Sequence, residues 1–194
     1  MNVVPVHLLF TCTANQVRSP LAAAIARRRI DDLALPVLVR SAGQMESGEP
    51  AMEKIVKVAR RFDVDLSEHQ STRISPELLA WSDLIVTMTG RHVLDLIDLA
   101  PECRSKTITL KEWAHAAGDG RTVPGWTPEQ VHDWASEVSQ RPIAVLLSGS
   151  MDVADPVGRA TRFYRRAARE IDELLSVCFR ADHGPELEPT DTER

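Results

Sequence analysis

Residues 6–30 read VHLLFTCTANQVRSPLAAAIARRRI, and this stretch constrains the fold most strongly. Val6, Leu8, Leu9 and Phe10 make a compact apolar run over residues 5–11, the pattern of a strand buried on both faces. Pro20 then stands where a first helical turn accepts proline, and Leu21, Ala24, Ile25 and Ile30 follow at helical spacing. A buried strand that runs into a helix through one short loop is the first half of a βαβ unit. It predicts a parallel sheet with helices on its faces.

The rest of the chain repeats the alternation. Residues 35–43 (LPVLVRSAG), 82–88 (SDLIVTM) and 106–113 (KTITLKEW) read as the second, third and fourth strands. Residues 50–62 and 90–99 read as helices, the first with Met52, Ile55, Val56 and Ala59 on one side. A last helix is expected from about Val157 to Phe179, with Phe163, Ala167, Ile171, Leu174 and Leu175 facing inward. Arg159, Arg162, Arg165, Arg166 and Arg169 crowd its first half and read as a solvated face pairing with Glu170, Asp172 and Glu173. The fold class predicted is α/β: a three-layer, parallel sheet flanked by helices.

Residues 114–150 break the alternation. A loop-like AAGDGRTVPG precedes a helix capped by Thr127, with Pro128 at its first position and Glu129 and Gln130 in its first turn. This segment reads as an extra helical insertion, at about 114–150, in a single domain spanning 1–180. The polar, acidic residues 181–194 read as a disordered tail.

Composition narrows the class. A formal net charge of -5 argues against nucleic-acid binding through broad positive potential. No apolar run approaches the length of a membrane span, and no secretion signal is read. Cys12, Cys103 and Cys178 stand far apart with no CxxC pair, which points to a reducing, cytoplasmic setting and away from disulfides or zinc. No metal or cofactor is implied.

The loop between the first strand and helix carries the chemistry. Free N–H groups and the helix dipole favour an anion there. Arg18 adds a planar fork that matches two oxygens of a phosphate-like group. Cys12 opens the same loop, where a thiol becomes a nucleophile near neutral pH. Ser19 can donate to the thiolate. A phosphoryl-transferring thiolate also needs an acid for the leaving oxygen, and MDVADPVG (151–158) offers Asp152 and Asp155. Cys103 and Cys178 have no arginine six residues on and read as structural.

Cys12-x5-Arg18-Ser19-Pro20, then RSAG (40–43), DLIVTM (83–88) and DVADP (152–156) ahead of a last helix, occur in an order that resembles the low-molecular-weight protein tyrosine phosphatases. The resemblance covers about residues 6–112 and 150–178. It implies a four-stranded parallel sheet with a phosphate-binding loop after the first strand and the site at the strand C-termini. It implies a hydrolase acting on phosphorylated protein, phosphotyrosine first, through a cysteinyl-phosphate on Cys12. Arg18 and the loop amides of Thr13, Ala14, Asn15, Gln16 and Val17 would hold the phosphate. Ser19 would assist the leaving thiolate, and Asp155 would act as acid, then base. Asn15, Ser41 and His69 match the family's supporting network. A protein-arginine phosphatase, an arsenate reductase and a non-catalytic phosphate-binding module are the alternatives. The partner implied is a phosphorylated protein; the oligomeric state is not read from the sequence.

The sequence also departs from the family pattern. Ala14 stands where glycine is usual, Val17 where a second cysteine is usual, and Thr89 where aspartate is common. Gln16 replaces a residue that is apolar in tyrosine-specific members and threonine in phosphoarginine-specific ones. Val157 and Gly158 replace an aromatic pair beside the cleft, and the 44–48 loop has no aromatic. Trp126, brought by the insertion, is the candidate replacement wall; packing of the extra helix is its competing role.

Overall fold

The structure, a computed structural model, describes residues 4–123 and 125–180. The expected disordered tail at 181–194 lies outside the described residues. Strands β1 (Val6–Cys12), β2 (Val37–Gly43), β3 (Leu84–Thr87) and β4 (Thr107–Thr109) form one four-stranded sheet, ordered β2-β1-β3-β4. All three pairings are parallel. The chain leaves β1 for one neighbour and later returns to its other side. The crevice beyond the carboxyl end of β1 is therefore where such sheets bind ligands.

Apolar residues cover both sheet faces, which is why β1 is a continuous apolar run and not an alternating one. Leu8 and Phe10 point into the larger layer with Leu21, Ile25, Trp113, Tyr164 and Ile171. Leu9 points the other way, into a smaller layer with Leu78, Leu79, Ile85, Leu96 and Cys103. Helices α1 (Arg18–Asp32), α2 (Glu53–Ala59), α5 (Leu110–Gly118), α6 (Pro128–Val138) and α8 (Thr161–Cys178) contribute to the larger layer. The short α3 (Pro76–Trp81) and α4 (Gly90–Leu99) supply the smaller one. A five-residue α7 (Ile143–Leu147) lies against α4. No helix among the described residues is long and apolar enough to cross a membrane.

Four expectations are corrected. The fourth strand stops after Thr109, because Thr109 and Glu112 form a capping box: Thr109 Oγ1 accepts from Glu112 N, and Glu112 Oε2 accepts from Thr109 N. Trp113 is thus on α5, fully buried. The segment at 114–150 holds the end of α5, then α6 and α7, where one inserted helix was read. Thr127 does cap α6, accepting from Gln130 N. The last helix begins at Thr161, since Gly158 takes a left-handed turn (φ 76°) ahead of it. Its inward face is Tyr164, Ala167, Ala168, Ile171 and Leu175, while Phe163 is only half-buried. The expected pairing of the α8 arginines also fails. Asp172 binds Arg29 and Arg28 of α1, and Glu170 binds Lys111.

Candidate active site

Cys12 ends β1, and α1 begins at Arg18, so residues 13–17 are the whole connection. Val17 supplies no side-chain cap to α1, and its first turn holds no acidic residue. The helix N-terminus therefore keeps its positive end for the loop. Three loop carbonyls are bonded outward. Thr13 O accepts from Gln44 N and Met45 N, Gln16 O accepts from Met52 N, and Asn15 O accepts from His69 Nε2 at 2.7 Å. The amides of Ala14 to Val17 donate to no other described residue. A loop with its carbonyls tied back and its amides unengaged is an anion cradle.

Asn15 sets the bend. It takes φ 53°, a left-handed conformation that asparagine tolerates better than most residues. Its side-chain amide donates to Ser19 Oγ and Ser41 Oγ, both at 2.9 Å, and its Oδ1 accepts from Thr72 N. Burial keeps His69 below the usual imidazole range, while its bond to the Asn15 carbonyl opposes that shift. Gly43 is required beneath this loop: a Cβ there would lie 2.6 Å from Asn15 N and 2.8 Å from Thr13 O.

Ser19 Oγ lies 3.0 Å from Cys12 Sγ, and both are buried. Arg18, also buried, donates through Nη1 to the Val153 carbonyl and through Nη2 to Asp155 Oδ2 at 2.7 Å. The 151–156 segment is thus fastened to the loop by one guanidinium. The two candidate acids separate here. Asp155 is part-exposed in the crevice, whereas Asp152 Oδ1 accepts from Gly90 N and serves the start of α4. Thr89 caps the same helix, accepting from His92 N.

The crevice encloses about 250 Å³, with Cys12 and Arg18 in its floor and Gln16, Met45, Met52 and Val157 in its walls. Trp126 is not among its lining residues. It stacks on Phe179 at 5.6 Å and packs near Trp113, so its role is to hold the α5–α6 side of the core. Sequence reasoning missed His92, whose Nε2 lies 3.0 Å from Thr13 Oγ1, and the two methionine walls. No local spacing signals them; the packing of α4 and the loops ahead of α2 brings them in. Among the described residues, no group of His, Cys, Asp and Glu side chains is arranged to hold a metal ion.

A thiol and a guanidinium at the two ends of an amide-lined loop, on the first strand of a parallel α/β sheet, define the class: α/β proteins with an anion-cradle loop between the first strand and helix. The family model described as low molecular weight phosphotyrosine protein phosphatase matches residues 7–125, and the chain belongs to that family. A protein-arginine-phosphatase of Geobacillus stearothermophilus is 28% identical, over 89% of this chain and 93% of its own length. The low molecular weight protein-tyrosine-phosphatase Wzb of Salmonella typhi is 34% identical over 55% of this chain and 69% of its own. Among solved structures, the YwlE arginine phosphatase from G. stearothermophilus superposes with a TM-score of 0.66 at 26% identity, covering 90% of this chain and 91% of that one.

Proposed function

We propose that this protein is a phosphatase of phosphorylated proteins that works through a cysteinyl-phosphate on Cys12. The observation that carries the reading is the pair of contacts Cys12 Sγ to Ser19 Oγ and Arg18 Nη2 to Asp155 Oδ2, which joins nucleophile, clamp and acid in one crevice. The Cys12 thiolate attacks phosphorus in line with the leaving group. The loop amides and Arg18 hold the three equatorial phosphoryl oxygens through the in-line transfer, while charge develops on the leaving oxygen. Asp155 gives its proton to the leaving oxygen, then takes one from the water that attacks the phosphoenzyme. Ser19 donates to the sulfur as the S–P bond breaks. Asn15, Ser41 and His69 hold Ser19 and the loop in place.

Phosphotyrosine is the first substrate reading. One observation favours phosphoarginine as the second: Gln16, Met45, Met52 and Val157 give the crevice no aromatic wall against a phenyl ring. The arginine phosphatases among the relatives point the same way. Arsenate reduction gains no such support. Cys103 and Cys178 lie buried in separate parts of the core, and burial pushes both thiols up, Cys178 strongly. All three cysteines are free, and we place the reaction in the cytoplasm, with residues 1–180 acting as one domain.

Rapid mixing with an aryl phosphate should show a burst of released alcohol that Cys12→Ser abolishes. Asp155→Asn should slow turnover by about 10²-fold or more with poor leaving groups and far less with good ones. Equal slowing for all leaving groups would move the acid elsewhere. Matched peptides carrying phosphotyrosine or phosphoarginine then decide the substrate through kcat/KM.

A further inference from the structure

The exposed face of α8 is charged in a way that the fold does not use. Arg162, Arg165, Arg166 and Arg169 recur at threes and fours, opposite the buried Tyr164, Ala168, Ile171 and Leu175. Arg159 precedes the helix on the same approach. All five are exposed, and among the described residues none of them makes an ion pair with an acidic side chain. Of the acids further along the helix, Glu170 is engaged by Lys111 and Asp172 by Arg28 and Arg29, and Glu173, one turn past Arg169, makes no ion pair among the described residues. A chain with a net charge of -5 thus keeps five arginines together that form no ion pair among the described residues.

The strip is also partly organised, and it begins at the crevice. The guanidinium of Arg159 lies 3.9 Å from the Phe163 ring centre and that of Arg162 lies 4.9 Å from it, which holds both planes against one ring. Lys54 Nζ donates to the Arg159 carbonyl at 3.0 Å. Met52 and Val157, each two residues from that bond, wall the crevice. From Arg162 to Arg169 the helix rises roughly 10 Å, the length of about three residues of extended peptide.

We propose that Arg159, Arg162, Arg165, Arg166 and Arg169 form a docking strip for an acidic segment of the phosphorylated protein, flanking the residue whose phosphate enters the crevice. The proposal rests on the phosphatase reading above. Charge complementarity selects the occupant: an anionic phosphoryl group and acidic neighbours would meet one continuous positive surface. Exposed pairs of this kind act on encounter and on KM more than on the chemical step.

The test is the triple variant R162E/R166E/R169E of the full chain, with R162Q/R166Q/R169Q as a milder partner. These exposed positions pack nothing in the core, so both variants should fold. Two phosphopeptides are compared, alike except that the flanking residues are Asp/Glu in one and Ser/Gln in the other, together with p-nitrophenyl phosphate. The wild-type protein should prefer the acidic peptide, and charge reversal should raise KM for that peptide about tenfold at low salt. Turnover of p-nitrophenyl phosphate and of the neutral peptide should stay unchanged. The preference should fade at about 0.5 M salt, where screening is strong. Equal kcat/KM for both peptides, with p-nitrophenyl phosphate turned over normally, would overturn the strip and leave the phosphatase reading intact. If no phosphate ester is cleaved, the catalytic reading fails, and binding of a labelled acidic peptide without phosphate still tests the strip. Failure of that peptide to bind, or an arginine-dependent affinity found only for phosphatidylserine vesicles or single-stranded DNA, would overturn it.

Discussion

His92 shows how much the loop depends on one side chain outside it. Its Nε2 meets Thr13 Oγ1 at 3.0 Å, while its Nδ1 is buried without a partner. Burial first, and the nearby Arg18 charge second, push its pKa down to about 4, against opposing attraction from Asp95, Asp152 and Asp155. The folded protein therefore holds this imidazole neutral at a pH where the unfolded chain, titrating near 6.5, would protonate it. The unfolded state binds more protons between those values, so stability falls as pH drops from about 6.5 to about 4. The loss from this group is up to about 3 kcal/mol. Urea midpoints measured across that range should fall less steeply for His92→Gln than for the wild type. Parallel slopes would mean that His92 is charged in the folded protein. Such residues mark the limit of what the sequence discloses. Cys12, Arg18 and Ser19 are legible because their chemistry is written within one local spacing. Asp155 could be told from Asp152 only by resemblance, and the structure separates them physically: one carboxylate meets Arg18, the other a helix amide. His92, Met45 and Met52 carry no local signal, since packing alone places them at the loop.

At the scale of elements, the β1–α1 connection was legible because an apolar run, a proline and a helical repeat agree there. The β4–α5 junction was not. KTITLKEW continues the strand pattern through Leu110, and the capping box inside it reads as strand until the helix that it caps is known. That box is reinforced by a buried ion pair. Arg141 Nε lies 2.6 Å from Glu112 Oε1, close for an ion pair though without the angle of a hydrogen bond. Its other nitrogens donate to the carbonyls of Ser139 and Thr107. One guanidinium thus ties the residues after α6 to β4 and to the start of α5. Its pKa is lowered by burial, with Glu112 opposing. Arg141→Ala would leave Glu112 buried and unpaired and should cost about 3–5 kcal/mol. The loss should appear as a lower denaturation midpoint. kcat/KM for an aryl phosphate should change little at temperatures where the variant stays folded, because this pair does not line the crevice. A variant as stable as wild type would mean that water reaches Glu112 and shields it.

Over the whole molecule, the two-faced sheet sets Cys103 apart from the other two thiols. Cys12 ends β1 at the crevice and borders the larger apolar layer, Cys178 ends α8 in that same layer, and Cys103 lies in the smaller one. Val17 occupies the loop position where the family usually has a second cysteine. An oxidised Cys12 therefore has no thiol in its own loop to condense with, and the other two are held protonated by burial. Peroxide should carry Cys12 through the sulfenic acid, which disulfide formation would otherwise trap, to the sulfinic acid, which thiols do not reduce. Intact mass after graded peroxide should show addition of two oxygens at Cys12, in step with inactivation and with no intramolecular disulfide. Activity should recover with dithiothreitol only in samples quenched early. Replacing Val17 with Cys puts a thiol into the same loop and should extend the recoverable window. Full recovery of the wild-type protein after prolonged peroxide, or a disulfide from Cys12 to Cys103 or Cys178, would mean that the layers open enough for buried thiols to reach the crevice.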